Sequence, residues 1–400
     1  MLNNSHIGKI KYTDFKSKIK KLFKIEKPIK FYRKFIKFLT LKKNKFLGKE
    51  YVLPVLNRIN IETTSLCNLK CNFCAYDKRN LESHPRTVMK NDNFINAVNQ
   101  ATSLGYKRIG LTPTTGDVFM DKDFISKLKI LEKNELVRDC YFYTNFIPCS
   151  KDQIKELFGI KKLFLLAISI YGHDEESFCK FTKGNNVSYK KLVDNLNYLA
   201  DLTETGKMHF EIRLNQRCKK NFYLSESDNE LSRAIKNLGA KDKQSVSFTY
   251  THIYDNWGDK ISESDVEGMG IELDIGWAPK VGPCTMVFSR LNIGANGTVN
   301  GCHVRDADYT LKLGNINKTS LKEILSAKNE TYVNLIEKMK NGEWPDVCKN
   351  CDVYSSIYDY PGKSNYMYAR TFNDKSIKLK EFDQILYNRK KEIDENINKF

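Results

Sequence analysis

The sequence predicts an α/β protein: a partial (β/α)6 TIM-like barrel, preceded by a basic helical arm and followed by a small module of β-hairpin plus helix. Three observations carry this. Six short apolar or β-branched runs alternate with five amphipathic stretches between Leu56 and about Thr251, a cysteine triplet follows the first run, and four spaced cysteines follow the last. Strand and helix in strict alternation mean a parallel sheet, and right-handed crossovers curl it.

The chain has 400 residues, 41% of them hydrophobic, which suffices for a large core. Its formal charge of 66 − 48 = +18 is unevenly spread. The first fifty residues hold 16 Lys/Arg against Asp14, Glu26 and Glu50, so +13 sits in the arm and +5 in the remaining 350 residues. A nucleic-acid partner is therefore not expected, since the basic excess sits in an arm attached to a nearly balanced body. In the arm, Phe15, Ile19, Leu22 and Phe23 recur at helical spacing, and after Pro28 so do Phe31, Tyr32, Phe35, Ile36 and Leu39. This predicts two basic amphipathic helices with a break at Pro28, either lying on an anionic membrane surface or packed on the body with a solvated lysine face. No apolar run reaches the roughly 18 residues of a membrane span, and no signal peptide precedes the arm, so the expected location is the cytoplasm, with peripheral membrane contact through the arm as its extension.

The predicted strands are "LNRINIE", "YKRIGLTP", "DCYFYTN", "KKLFLLAISI", "MHFEIRL" and "SVSFTYTH". Between them lie "DNFINAVNQATSL", "KDFISKLKILEKN", "KDQIKELF", "SYKKLVDNLNYLADL" and "ESDNELSRAIKNL", each apolar on one helical face. The expected division is an arm over 1–50, the barrel over 51–260, the cysteine module over 275–355 and a helical tail over 356–400. In such barrels chemistry sits at the C-terminal ends of the strands, and the triplet follows the first of them.

Eleven cysteines are present, and in a reducing compartment their clustering argues for metal ligation over disulfides. Cys67, Cys71 and Cys74 have C-x3-C-x2-C spacing. Three thiolates can hold three irons of a cubane [4Fe–4S] cluster and leave the fourth iron open, and an open position is where chemistry happens. Zinc is the alternative, but it normally takes four ligands, and no fourth cysteine or close histidine completes the set, His84 lying ten residues on.

Here the chain resembles the radical S-adenosylmethionine (SAM) enzymes. In that family the open iron is chelated by the amino and carboxylate groups of SAM, and one electron from the cluster cleaves it to methionine and a 5′-deoxyadenosyl radical that takes a hydrogen atom from the substrate. "TTGD", Thr114 to Asp117, falls where the family has a Gly-Gly-Glu stretch for the SAM amino group, with Thr115 and Asp117 replacing Gly and Glu around Gly116. "YTNF" resembles the family's Thr-Asn-Gly, and "ISIYGHDEESFCKFTKGNN" the stretch at its fourth strand. The resemblance implies that Ser169 contacts the SAM carboxylate or ribose, that Arg213 is a carboxylate partner and that Phe73 lies near the adenine. Tyr171 stands where many relatives carry Asp.

Cys284, Cys302, Cys348 and Cys351 follow the barrel, with "RLNIGANGTVNGC" reading as a hairpin turned at Asn296-Gly297 and "LGNINKTSLKEIL" as strand, turn and helix start. The region resembles the four-cysteine "twitch" form of the SPASM domain, which implies one fully ligated auxiliary [4Fe–4S] cluster; a structural zinc is the alternative reading. The twitch spacing is nearest that of a dehydrogenase of an aminocyclitol, which favours a sugar-like small molecule oxidised with the help of the auxiliary cluster. Modification of a peptide or protein side chain is the second reading, and a non-catalytic iron–sulfur or zinc scaffold the third. The family resemblance further implies a reducing electron donor such as flavodoxin or ferredoxin.

Overall fold

The computed structural model describes residues 26–50, 58–205, 208–242, 244–273 and 278–359. The expectations for Phe15, Ile19, Leu22 and Phe23 and for the tail beyond 359 lie outside these. Among the described residues a helix, α1 (Glu26–Phe46), comes first. It carries Pro28 inside it, where the sequence predicted a break. At the third residue of this range the missing N–H has no acceptor within it to lose, so Pro28 is accommodated at the start of the range; the predicted helix before it lies outside the described residues.

The barrel follows as β1 (Arg58–Ile61), α2 (Asn91–Ser103), β2 (Arg108–Gly110), α3 (Phe124–Lys133), β3 (Asp139–Thr144), α4 (Lys151–Leu157), β4 (Leu163–Tyr171), α5 (Glu175–Thr182), α6 (Asn186–Thr205), β5 (Glu211–Arg217), α7 (Glu230–Lys241) and β6 (Val246–Thr251). All six predicted strands are present and each pairs in parallel with the next. A two-strand pair, β7 (Ile253–Tyr254) and β8 (Glu272–Leu273), and a helical turn, α8 (Met286–Ser289), lead to β9 (Asn292–Ile293), β10 (Thr298–Asn300), β11 (Lys312–Asn315), α9 (Leu321–Ile324), α10 (Glu330–Asn341) and α11 (Asp346–Lys349).

The three late strands do not form a sheet of their own. β9 pairs in parallel with β1, giving one nine-stranded sheet of order β11-β10-β9-β1-β2-β3-β4-β5-β6. Its edges are β6 and β11, so the barrel is open. The predicted hairpin is there, with Gly297 at φ +83° in the turn between β9 and β10. A side chain at that φ would be strained, which is why Asn-Gly stands there.

Alternation along each strand divides core from lumen. Ile59, Ile61, Ile109, Ile168, Ile170, Ile212 and Leu214 are buried in the outer core against the helices. The opposite face mixes polar side chains with a small apolar cluster of Tyr141, Leu165 and Ala167 and stacks in register: Arg58 lies beside Arg108 and Arg108 beside Asp139, then Asn60 beside Gly110 and Gly110 beside Tyr141. Higher up, Tyr143, Ala167 and Arg213 align, as do Ser169 and Asn215. Gly110 belongs to this stacking, since a Cβ there would stand 2.6 Å from the Tyr141 hydroxyl. No helix of the described residues is long and apolar enough to cross a membrane.

Candidate functional site

The cysteine triplet lies in the loop after β1, at the C-terminal end of the strands. The loop is pinned from below, with Lys70 N donating to Thr182 O at 3.1 Å, Asn72 N to Phe181 O at 3.0 Å and Cys67 N to the Tyr76 hydroxyl at 3.0 Å. The three thiols are half-buried and free. Burial, then Cys74 and Cys67, push the Cys71 thiol well up, so the sulfurs stand close enough to feel one another's charge. Burial likewise pushes Cys74 up to about 11. A thiol that resists ionisation by solvent alone becomes a thiolate when a metal takes the proton's place.

The "TTGD" loop is set directly against this one. Asp117 N donates to Leu66 O at 2.7 Å, and a Cβ on Gly116, at φ +146°, would meet that same carbonyl at 2.8 Å. Thr115 is buried and held by Arg79, whose Nη1 donates to Thr115 Oγ1 at 2.6 Å. Asp117 is fully taken up by protein donors: Thr144 Oγ1 at 2.9 and 3.0 Å, Asn145 N at 2.6 Å and Phe119 N at 3.0 Å. Burial pushes its carboxyl up to about 6 against those hydrogen bonds. Asn145, from "YTNF", reaches back to Asn68 between Cys67 and Cys71, at 2.8 Å. Phe73 is buried among aromatic rings, 5.1 Å from both Tyr171 and Tyr254 and 6.3 Å from Phe181.

Ser169 is half-buried on the lumen face of β4 beside Asn215. Arg213 sits one row deeper beside Ala167, with Glu211 3.5 Å away and its Nη1 buried without a hydrogen-bond partner among the described residues. Sequence reading missed Arg217, four residues up the same strand beside Tyr171 and 5.0 Å from the Tyr254 ring centroid. Only the strand register marks it. His84 is engaged elsewhere, Nδ1 with Ala307 O at 2.9 Å and Nε2 with Glu62 at 3.4 Å. Cys140 and Cys149 are buried core side chains, and Cys218 is buried at the top of β5.

The second cysteine set also converges. Cys284 pairs across to Ser356, Cys302 follows β10, Cys348 lies in α11 and Cys351 just beyond it. Burial and then Cys284, Cys302 and Cys351 push the Cys348 thiol up, so all four share one locale. Met286, Val304 and Tyr354 close it off, and Lys280 Nζ donates to Cys351 O at 2.7 Å. Among the described residues no three His, Cys, Asp or Glu side chains surround a point as they would a lone metal ion. Two groups of soft donors, three in one loop and four in a closed apolar setting, fit iron–sulfur clusters in chemistry and number.

Comparison with known proteins defines the class. Residues 61–209 match the radical SAM superfamily and residues 284–352 the SPASM iron–sulfur cluster-binding domain. The chain belongs to the radical SAM enzymes that carry a SPASM domain, whose cofactors are [4Fe–4S] clusters and SAM. Among individual proteins it is similar to a cysteine-type anaerobic sulfatase-maturating enzyme of Clostridium perfringens, 23% identical over 74% of this chain and 88% of that one. A GTP 3′,8-cyclase of Clostridium perfringens is 26% identical over 32% of this chain and 38% of its own length. A crystal structure of BtrN in complex with AdoMet and 2-DOIA superposes at a TM-score of 0.47, with 16% identity, over 76% of this chain and 95% of that one.

Proposed function

We propose that the chain is a radical SAM oxidoreductase with a barrel over 51–260 and an auxiliary module over 275–355, in which Cys67, Cys71 and Cys74 hold a cluster open to SAM and Cys284, Cys302, Cys348 and Cys351 hold one closed auxiliary cluster. The carrying observation is the clustering of the two thiol sets, three sulfurs in one loop and four in one apolar locale. When bound, these cofactors supply reductive SAM cleavage, hydrogen abstraction and an acceptor for the second electron, so the substrate loses two hydrogens overall. Thr115, Gly116 and Asp117 shape the wall that receives the SAM amino group, Ser169 and Arg213 the side of its carboxylate and ribose, and Phe73 the adenine side. Asp117, already filled with donors, acts here by fixing the loops more than by direct contact.

The substrate proposed is a small polyhydroxylated molecule of the sugar or cyclitol class. Its support is the lumen, whose rows set the hydrogen-bonding groups of Asn60, Tyr141, Tyr143, Arg213 and Asn215 around a small apolar cluster that includes Leu165 and Ala167. Oxidation of a peptide or protein side chain is the second reading, favoured by the similarity to the sulfatase-maturating enzyme over 74% of this chain. The electron donor proposed is a flavodoxin or ferredoxin. For α1 we propose contact with an anionic membrane surface, because Tyr32, Phe35, Ile36 and Leu39 are exposed beside its lysines.

Anaerobic reconstitution tests this: about eight irons per chain are expected, and about four after replacing Cys67, Cys71 and Cys74 together by Ala. Incubation with SAM, a reductant and either aminocyclitols or cysteine-containing peptides then separates the substrate classes by which product lacks two hydrogens. Four irons with one zinc would remove the auxiliary cluster from the proposal.

A further inference from the structure

The lumen below the cysteine loop gathers guanidinium groups. Asn60 and Asn292 are paired in register on β1 and β9, and Asn60 Nδ2 donates to Asn292 Oδ1 at 2.6 Å, so the two side chains share one face. Two residues before each stand Arg58 and Arg290, which alternation puts on that same face. They are 5% and 8% exposed, and a guanidinium does not shed its charge on burial. Burial, then Arg290, pulls Arg58 down to about 9, so at neutral pH it remains a cation beside another cation.

A further guanidinium comes from β5. Arg213 is 9% exposed, with Nη2 3.5 Å from Glu211 and Nη1 buried without a hydrogen-bond partner among the described residues. A guanidinium has more than one donor edge, so a place on the side of the SAM carboxylate leaves Arg213 another for a group deeper in the lumen. Tyr143 of β3 lies between: burial pushes its hydroxyl up, and Arg213 foremost, with Arg58 after it, acts against that. Arg108 on β2 differs, because Asp139 holds it at two points, at 2.5 and 2.8 Å. Glu62, the lumen acid of β1, is engaged by Thr114, Asn292, Tyr309 and His84.

We infer that Arg58, Arg290 and the inward edge of Arg213, with the Tyr143 hydroxyl, form an oxyanion subsite in the lumen, and that the substrate carries a phosphate or carboxylate which docks there. The inference rests on the sugar or cyclitol reading for the rest of that substrate. Like charges gathered out of water are costly on their own, and an oxyanion with several acceptor atoms offsets that cost. Guanidinium forks match phosphate and carboxylate at two points, which a hydroxyl group does not allow. With the acid held deep, the polyhydroxylated part extends towards the cysteine loop. The anchor thus sets which carbon faces that loop.

The test is isothermal calorimetry of the reconstituted, SAM-loaded holoprotein with glucose, glucose 6-phosphate, glucuronate and inorganic phosphate at equal ionic strength. An acidic sugar is expected to bind about ten- to a hundredfold more tightly than glucose, the worth of a hydrogen bond to a charged group. The tighter of the two acids identifies the docking group as phosphate or carboxylate. Inorganic phosphate is expected to bind as well, and Arg58→Gln or Arg290→Gln to abolish both its binding and the preference for acids. Should either variant fail to fold, Arg58→Lys and Arg290→Lys, which keep the charge and lose the fork, carry the comparison with a weakened preference. Phosphate that does not bind, phosphate binding unchanged in the folded variants, or equal binding of glucose and both acids overturns the inference. Arginine-dependent phosphate binding with no sugar bound supports the subsite and overturns instead the sugar reading on which the substrate rests.

Discussion

Asp117 shows what a buried carboxylate does when its partners are all neutral. Four donor contacts hold it, yet burial pushes its carboxyl up to about 6 from an ordinary 3.8. The unfolded chain ionises this group near its ordinary value, while the folded chain keeps the proton until about 6. Between those values the unfolded state binds fewer protons, so stability falls as pH rises through the window. Asp117→Asn is expected to flatten that dependence, measured as denaturant midpoints at about pH 4.5 and about pH 6.5. It should also cost about 1–3 kcal/mol, because an amide N–H2 then faces the donors Thr144 and Asn145. An unchanged slope would assign the pH dependence to other groups.

The same scale marks where sequence reading succeeds. The cysteine triplet is legible because eight residues of chain fix its spacing whatever the fold, and "TTGD" because it directly follows a strand. Arg58 and Arg290 are not, since their meaning comes from the pairing of β9 with β1, strands far apart in the chain that no periodicity brings together. Arg217 is intermediate: the strand is readable, but which of its two arginines stands beside the loop depends on register.

At the scale of elements, α1 has two faces. Lys37 pairs with Asp359 at 2.8 Å, Asn44 Nδ2 donates to Tyr358 O at 2.9 Å, and Leu41 is buried in the main core, so this side docks on the body. Tyr32, Ile36, Leu39 and Phe46 lie on the opposite side, exposed, at i, i+4, i+7 and i+14. The apolar period was readable, but not that the body takes the other face, because docking here uses Leu41, the half-buried Phe38 and several polar contacts. Leu41→Ala is expected to destabilise by about 2–5 kcal/mol in chemical unfolding. Phe35→Ser with Leu39→Ser should leave stability within about 0.5 kcal/mol, as exposed sites do, and weaken flotation with anionic vesicles. Equal flotation of that variant would count against lipid contact.

At the scale of the whole molecule, one buried carboxylate reaches residues of both halves. Glu62, at the end of β1, is fully buried and accepts from Thr114 N at 2.5 Å, from Asn292 Nδ2 at 3.0 Å and from the Tyr309 hydroxyl at 2.7 Å, with His84 Nε2 at 3.4 Å. Thr114 and His84 belong to the barrel half, Asn292 and Tyr309 to the auxiliary half, and the His84 and Tyr309 rings stack at 3.9 Å. Burial pushes the carboxyl up, but His84, Thr114 and Tyr309 outweigh it and hold it below its ordinary value. Its contribution is thus present above the ordinary carboxylate range and lost as pH falls below it. Because β9 also pairs with β1, the two halves share backbone hydrogen bonds as well as this network, and they are expected to unfold in one transition. Glu62→Gln keeps the shape but turns an N–H2 towards donors, which should cost about 3 kcal/mol, concentrated at the seam. The expected result in calorimetry of the cofactor-loaded protein is that one heat-absorption peak splits into two, the lower one accompanied by loss of the auxiliary-cluster absorbance. Tyr309→Phe, which removes one donor and leaves the charge with its other partners, should lower the midpoint without splitting the peak. A single peak in both variants would mean that the strand pairing alone holds the halves together, and that Glu62 adds stability without coupling.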